Sequence, residues 1–547
     1  MIFYSTDPDV ALPKVDIYNY LDSNPCQVPP GKTVFVDPLT DRSLTFSDFQ
    51  IQTKQFAAGL QDRFNFQPGQ VVAILSFNQY DFGVPIFGTL CAGGVVTTIN
   101  HSYTVDEVVH QLKDSGARLI ITAAELLPTA VKAGEICGIQ TDSILIFDQT
   151  AANGFQPYRT LFAKRLATPV KRSLEDIAYL CYSSGTTGKS KGVMLSHGNI
   201  TANMSQIMSY DAPIIAQKDL IVLGFLPLYH IYGLVNCLHI SLFTGTKTII
   251  MPKFELPSFL GNIQKYKVTN TFIVPPVALA LAKHPIVNDY DLSSLRHIAC
   301  GAAPLPKDLL DMIEKRLGIY CRQGFGMTEA SPLVACIRPG QRKDGSVGPL
   351  VCNLMAKVVD ANGKGKCAGL DQLGVGEEGE WLLKGPNVMK GYINNDEATK
   401  NTITPDGWMH TGDIVYVDKD GNWFVVDRLK ELIKMKGFQV APAELEALLQ
   451  THPHVLDCAV IPAYDASQAT EIPRAYVVPK PTVAASELEA LKKDIIKFVE
   501  DRVANHKRLR GGVKFINEIP KSASGKILRK DIVKLDRAED SQGKAKL

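Results

Sequence analysis

Short apolar runs recur through the first four hundred residues, separated by stretches with helical spacing. Val71-Val-Ala-Ile-Leu75, Leu119-Ile-Ile-Thr122, Ser143-Ile-Leu-Ile-Phe147, Lys247-Thr-Ile-Ile-Met251 and Asn270-Thr-Phe-Ile-Val274 show little polar alternation. Such runs are strands buried on both faces, and helices between them give parallel sheets in α/β layers. The pattern changes after Asp427-Arg428. Pro442 to Gln450 reads as a helix with Pro442 near its first turn. Leu456–Ile461 and Arg474–Val478 read as strands, and Leu488–Asn505 as an amphipathic helix. The expected fold is therefore α/β, with a large N-terminal domain of layered subdomains over residues 1–429. A small α+β C-terminal domain follows over 430–547 and ends in a flexible tail.

The most membrane-like stretch, Leu220–Phe243, contains Pro227, Tyr229, His230, Asn236 and His239. These are costly at bilayer depth, so a buried strand, a loop and a packed helix are expected instead. No repeat or low-complexity tract interrupts the pattern.

Composition narrows the class further. A chain of 547 residues exceeds one ordinary domain, and 45% apolar with 21% charged residues is globular composition. A net charge of +2 gives no case for a nucleic-acid partner. The eleven cysteines form no C-x-x-C pair, which argues against a zinc or thioredoxin-type site and for buried thiols in a reducing compartment. His452-Pro-His454 reads as surface histidines in a loop rather than a metal tract. The start, Met1-Ile-Phe-Tyr-Ser-Thr-Asp, has no basic stretch followed by an apolar one, so secretion is not expected.

The chemistry concentrates in a few loops. Tyr182-Ser-Ser-Gly-Thr-Thr-Gly-Lys-Ser-Lys-Gly192 follows the apolar run Ile177–Tyr182 and combines glycines, hydroxyls and lysines into a phosphate cradle. Gly188-Lys189-Ser190 imitates the end of a Walker A motif, but Ser183 stands where that motif needs its first glycine. Gln323-Gly-Phe-Gly-Met-Thr-Glu329 places a carboxylate where a dinucleotide fingerprint needs glycine, so a divalent cation between Glu329 and a polyphosphate is implied. Gly407-Trp-Met-His-Thr-Gly-Asp413 presents an acid suited to ribose hydroxyls, and Arg428 is a permanent cation suited to phosphate or carboxylate. Pro520-Lys-Ser-Ala-Ser-Gly-Lys526-Ile-Leu-Arg529-Lys530 is a basic loop near the end. Taken singly, Asp413 could equally cap a turn, Glu329 could sit on a surface loop, and the last segment could be a solvated charge cluster.

Together and in this order, these segments resemble the adenylate-forming superfamily of acyl-CoA synthetases, adenylation domains and beetle luciferases over essentially the whole chain. Within it the chain is most similar to the 4-coumarate–CoA ligase group. That closer likeness rests on Leu226-Pro-Leu-Tyr-His-Ile-Tyr-Gly-Leu234, Val426–Lys434 and Lys436-Gly-Phe-Gln-Val-Ala-Pro-Ala-Glu444. The resemblance implies an AMP-forming acid–CoA ligase using ATP, Mg²⁺ and coenzyme A. Carboxylate attacks the α-phosphorus of ATP to give an acyl-adenylate and pyrophosphate, and the CoA thiol then displaces AMP.

The same resemblance implies residue roles. Ser183, Ser184, Gly185, Thr186, Thr187 and Lys191 would hold ATP phosphates, and Gln323, Gly324 and Thr328 the adenylate. Glu329 would ligate Mg²⁺, Asp413 and Arg428 would hold the ribose, and Lys434 and Gln439 would touch the adenylate. Lys526 would bridge the reacting carboxylate and α-phosphate, and with Glu329, Thr187 and His230 it completes the catalytic candidates. Lys253, Lys436 and Gly437 would contact CoA, and Lys430 would be the hinge about which the mobile small domain rotates. His230, Tyr232, Asn236, Gly301, Ala302, Ala303, Pro332 and Leu333 would line the pocket for an aromatic or medium-chain acid. A luciferase-like monooxygenase, a carrier-loading adenylation domain and, in a different class, a P-loop NTPase are the alternatives. The terminal Ala545-Lys546-Leu547 resembles a peroxisomal address behind a polar stretch, Arg537–Gly543, expected to be flexible. The expected partner there is the peroxisomal import receptor.

Overall fold

The computed structural model describes residues 1–183, 190–303, 305–360, 372–429, 431–435, 438–465, 470–522 and 525–544, with the backbone alone at 438–439 and 540–544. Two large sheets dominate the N-terminal part. The first runs Gly391–Tyr392, Lys191–Ser196, Ile177–Ser183, Val95–Ile99, Val71–Leu75, Ala117–Thr122, Ile144–Ile146. Every residue of Val71–Leu75 is buried, and the strand pairs in parallel with Val95–Ile99 and Ala117–Thr122. This is the unbroken apolar run that a sheet covered on both faces requires. The second sheet runs Leu333–Cys336, Tyr320–Gly326, His297–Cys300, Asn270–Ile273, Ile221–Gly224, Lys247–Ile250, Thr33–Val36, Ser43–Thr45.

Helices between the strands start where local chemistry places them. Thr104 and Glu107 form a reciprocal capping box ahead of Val105–Ser115, and Ser196 and Asn199 form one ahead of His197–Tyr210. Gly116, in the left-handed region at φ 66°, ends the first of these. A third, antiparallel sheet of Phe3–Tyr4, Met355–Val359, Gly379–Lys384, Met409–Val417 and Trp423–Arg428 carries the stacked, fully buried pair Trp381 and Trp423.

Leu220–Phe243 resolves into the strand Ile221–Gly224, a loop, and helical turns from Ile231 to Thr244 that include a wide π-type segment over Leu234–Ile240. Two of its buried polar side chains find partners: Asn236 Nδ2 donates to Tyr232 O at 3.0 Å, and His239 Nε2 lies 2.7 Å from the Tyr179 hydroxyl, while His239 Nδ1 has none among the described residues. Among the described residues no helix is long and apolar enough to cross a membrane.

The smaller unit has its own core, beginning at Ile433. Val455–Asp465, Thr470–Pro479 and Val513–Phe515 form its sheet, flanked by the helices Pro442–Gln450, Leu488–Glu500 and Arg529–Lys544. Two expectations are corrected here. Arg537–Gly543 is not a flexible tail; it continues the helix Arg529–Lys544, whose Lys, Arg, Ala, Glu and Gln are good helix formers. His452 is not a surface residue; it is buried, packs on Phe498 and pairs with Asp494 at 3.1 Å. Eight of the ten described cysteines are buried, as expected.

Candidate functional site

A cavity of about 940 Å³ opens between the sheets and is closed on one side by the small domain. The strand leading into the glycine- and hydroxyl-rich segment borders it, through Ser183. Ile177–Ser183 turns back into Lys191–Ser196 as an antiparallel hairpin, with Ser183 paired to Lys191. A Walker A loop instead leads from a strand into a helix, so the hairpin independently excludes that motif. Ser184, Gly185, Thr186 and Thr187 lie outside the described residues, as do Lys430, Lys436, Gly437 and Ala545–Leu547. Ser183 and Lys191, at the two edges of the loop, both face the cavity.

Glu329 lies beside them, just beyond the strand Tyr320–Gly326. Its Oε1 accepts hydrogen bonds from the Ser183 hydroxyl and the Tyr392 hydroxyl, each at 3.0 Å. Lys191 Nζ stands 5.0 Å from the centre of the Tyr392 ring. No motif points to Tyr392, because it sits on the short strand Gly391–Tyr392 outside any glycine-rich stretch and reaches Glu329 only through the sheet. A buried carboxylate beside hydroxyls is a hard-oxygen donor set suited to a magnesium-like cation that keeps water and phosphate oxygens as its other ligands. Among the described residues no cluster of three metal-binding side chains occurs, so a site supplied wholly by protein is absent there.

The opposite wall carries the acid, the arginine and the lysine. Asp413 on Met409–Val417 pairs across the sheet with Arg428 on Trp423–Arg428, Arg428 Nε lying 3.6 Å from Asp413 Oδ1. Burial pushes the Asp413 carboxyl up to about 6, against the pull of Arg428 and Lys526. Lys526 arrives from the small domain on a tight turn. Its N–H donates to Ser522 Oγ at 3.2 Å, and the Ser522 N–H donates to Lys526 O at 2.8 Å.

Gly525, at φ 79°, lets the turn reach the large domain. A Cβ there would lie 3.1 Å from Pro276 Cδ, in a backbone conformation that side chains rarely adopt. Burial lowers Lys526 to about 8, and the like charge of Arg428 adds to this, while Glu431, Asp413 and Glu329 oppose it. Burial also holds His230 down at about 4, with Lys526 contributing, so its ring is neutral near pH 7. The His230 Nδ1 accepts the Tyr232 N–H at 3.2 Å, which fixes the tautomer with the proton on Nε2.

Beyond His230 the cavity continues between Tyr232, Asn236, Gly301, Ala302, Pro332 and Leu333, with Gly324 and Thr328 also on its wall. A Cβ on Gly301 would approach the Tyr232 ring to 3.1 Å, so any larger residue there needs that ring to give way. Asn236 reaches the cavity, but its amide nitrogen caps local backbone.

Several expected residues are not brought together. The Gln323 side chain turns away from the cavity: its Oε1 accepts the Leu305 N–H at 3.1 Å and its Nε2 donates to Ser346 O at 3.0 Å. Side chains alternate along a strand, so Arg322 and Gly324 take the cavity face and Gln323 takes the other. Ala303 is not on the cavity wall. Lys253 is exposed and paired with Glu255 at 2.9 Å, and Lys434 is exposed on Ile433–Met435, both away from the cavity. The Gln439 side chain is outside the described set.

The comparisons with known proteins agree with this geometry. The family model described as AMP-binding enzyme matches residues 23–393, and the AMP-binding enzyme C-terminal domain matches 444–526. A 4-coumarate–CoA ligase of Pinus taeda is 41% identical over 509 residues, covering 91% of this chain and 90% of that one. A probable 4-coumarate–CoA ligase 1 of Dictyostelium discoideum is 39% identical, with 97% of each chain covered. Among solved structures, the anthranilate CoA ligase AuaEII in complex with anthranoyl-AMP superposes with a TM-score of 0.87 at 26% identity, covering 97% of this chain and 99% of that one. ATP-bound MatB from Rhodopseudomonas palustris gives 0.83 at 25%, covering 94% and 98%.

Proposed function

Because the chain belongs to the AMP-binding enzyme family of AMP-forming acyl-CoA ligases, we propose that it activates an aromatic, cinnamate- or phenylacetate-like, or a medium-chain carboxylic acid. The ligase chemistry runs through an acyl-adenylate to the CoA thioester. The observation that carries the reading is the convergence of Ser183, Glu329, Asp413, Arg428 and Lys526 on one cavity from segments as distant as 183 and 526. The two relatives named above are 4-coumarate–CoA ligases, which favours the ligase over a light-emitting oxygenase, and the hairpin after Ser183 disfavours a P-loop NTPase.

A carboxylate is a poor electrophile because its leaving group would be oxide; transfer to AMP provides a good one. No protein nucleophile is needed, so positioning and charge neutralisation supply the rate. Ser183 and Lys191, with the loop between them, orient the pyrophosphate as leaving group. Asp413 accepts from ribose hydroxyls with Arg428 beside it. Lys526 offsets the repulsion as carboxylate and α-phosphate meet. His230, neutral, can offer its Nε2–H to an oxygen of the acid or adenylate without adding charge. Mg²⁺ would be held by Glu329 together with phosphate oxygens and water, and when bound it neutralises polyphosphate charge. Lys434 and Gln439 toward the adenylate, and Lys436 and Gly437 toward CoA once the small domain has rotated, belong to the same proposal, as does Lys253 of the large domain toward CoA.

A pyrophosphate-release assay over aromatic and medium-chain acids, with and without CoA, tests this reading. Acid-dependent release with AMP as the nucleotide product is expected; ADP as product overturns it. The pH profile provides a second check. Asp413 must be ionised and Lys526 cationic, so kcat/KM for adenylate formation falls as pH drops through about 6 and again as pH rises through about 8. Lys526→Arg should remove the alkaline limb whatever its effect on the maximum, because guanidinium stays charged there. Persistence of that limb would assign it to another group.

We also propose import into peroxisomes through Ala545-Lys546-Leu547, supported by its likeness to the Ser-Lys-Leu address. A fluorescent fusion carrying the last twelve or so residues should collect in peroxisomes, and deletion of the last three should release it; a diffuse intact fusion overturns the idea.

A further inference from the structure

The deep end of the cavity holds a charged pair that the reaction does not use. Arg322 is 4% exposed and Asp211 9%, yet both lie on the cavity wall. Arg322 Nη2 donates to Asp211 Oδ1 at 2.6 Å, Nη1 donates to Ile337 O at 3.4 Å, and the guanidinium stands 5.9 Å from the Tyr210 ring centre. Burial works most strongly against the Arg322 charge, but Asp211, Cys336 and Tyr210 together outweigh it and the guanidinium is held above its ordinary value.

Strand geometry fixes where this pair lies along the cavity. Arg322, Gly324 and Gly326 alternate onto one face of Tyr320–Gly326 and all line the cavity. Thr328 and Glu329 follow immediately at the adenylate end. At ~3.3 Å per residue, the Arg322 Cα is about 13 Å along the strand from Gly326. Between them the cavity is bordered by Phe325, Pro332, Leu333 and Cys336. An acid whose carboxyl lies near Lys526 therefore extends its tail over Gly324 toward the Arg322 guanidinium.

We propose that Arg322, oriented by Asp211, is the specificity-determining residue at the far end of the acyl pocket, selecting acids that carry an uncharged oxygen (hydroxyl, carbonyl or ether) opposite the reacting carboxyl. The proposal rests on the ligase reading above. A guanidinium has five N–H donors, and the described protein partners take two. A hydrocarbon tail covering the rest would strip them of water and return no hydrogen bond, the case in which polar sites discriminate most strongly. A hydroxyl can accept from Arg322 and donate to Asp211. A second carboxylate is disfavoured, because Asp211 already balances the arginine and would repel it.

The test compares acids matched in length: octanoate, ω-hydroxyoctanoate and octanedioate, and cinnamate with para-hydroxycinnamate. With wild-type protein, kcat/KM for pyrophosphate release should favour each hydroxylated acid over its hydrocarbon partner by at least roughly tenfold, with octanedioate below the hydroxy acid. The double variant Arg322→Met with Asp211→Asn removes both charges together, so neither is left buried alone; there the ratio should fall to about threefold or less. Arg322→Lys should keep a measurable preference, which a purely structural role for the pair would not produce. Equal rates within each wild-type pair, or an undiminished ratio in the double variant, overturn the assignment. No acid-dependent release from any acid overturns the ligase reading instead. If the double variant does not fold, the wild-type ratios alone decide.

Discussion

Lys526→Ala should lower adenylate formation by roughly 10²–10³-fold, the size expected when one preorganised charge partner of a transition state is removed. It should leave thioester formation from supplied acyl-AMP and CoA within a few-fold of wild type. The asymmetry follows from where the residue sits. Its ammonium lies among Asp413, Arg428, Glu431 and Glu329, on a turn packed against Pro276 of the large domain, so it acts only while that turn is docked. Only the first half-reaction brings two anions together at that point. Separate single-turnover measurements of the two halves check this, and equal losses in both would remove Lys526 from its role. Because the side chain lines the open cavity half-buried and is not packed in a hydrophobic core, melting temperature should change little, and a large drop would attribute lost activity to unfolding.

Lys430→Pro should separate the half-reactions in the opposite sense. Proline fixes φ near −65° and removes the backbone N–H, so a residue that must adopt two backbone conformations can keep only one. The conformation in hand has Lys526 in the cavity and is stitched across the domain boundary. Asp427 Oδ2 accepts the Ala443 N–H at 2.9 Å, at the start of the small domain's first helix. Within the small domain, Arg529 ties Glu431, just past the hinge, to Glu446. If proline holds this arrangement, adenylate formation persists while thioester formation falls by about 10²-fold; if it holds the rotated one, the losses exchange. Unimpaired turnover in both halves would place the hinge elsewhere.

Much of this was legible because the signals are local. Continuous apolar runs such as Val71–Leu75 need no partner to declare themselves buried, and Thr104 with Glu107 announces a helix start within four residues. The phosphate loop, Glu329, Asp413 and Lys526 were readable because each stands in a turn whose glycines and hydroxyls have few other uses. What misled was also local. Gln323 belongs to the same motif as Gly324, but strand alternation turns its amide to Leu305 and Ser346. His452 looked exposed because nothing nearby in sequence covers it; Phe498 and Asp494 do so from the following helix.

The sequence alone determined the layered α/β class and the two-part organisation, because short-range periodicity and turn chemistry are written in consecutive residues, and it pointed to Ser183, Glu329, Asp413 and Lys526 through a family resemblance. Only the tertiary structure decided which groups meet. Tyr392 reaches Glu329 across sixty-three positions, Arg322 finds Asp211 across a hundred and eleven, and Lys526 approaches Asp413 from another domain. Those encounters depend on sheet order and on which face of a strand looks inward, and so do the neutral ring of His230 and the lowered Lys526. Burial and neighbouring charge set both, and neither is a property of the residue's place in the chain.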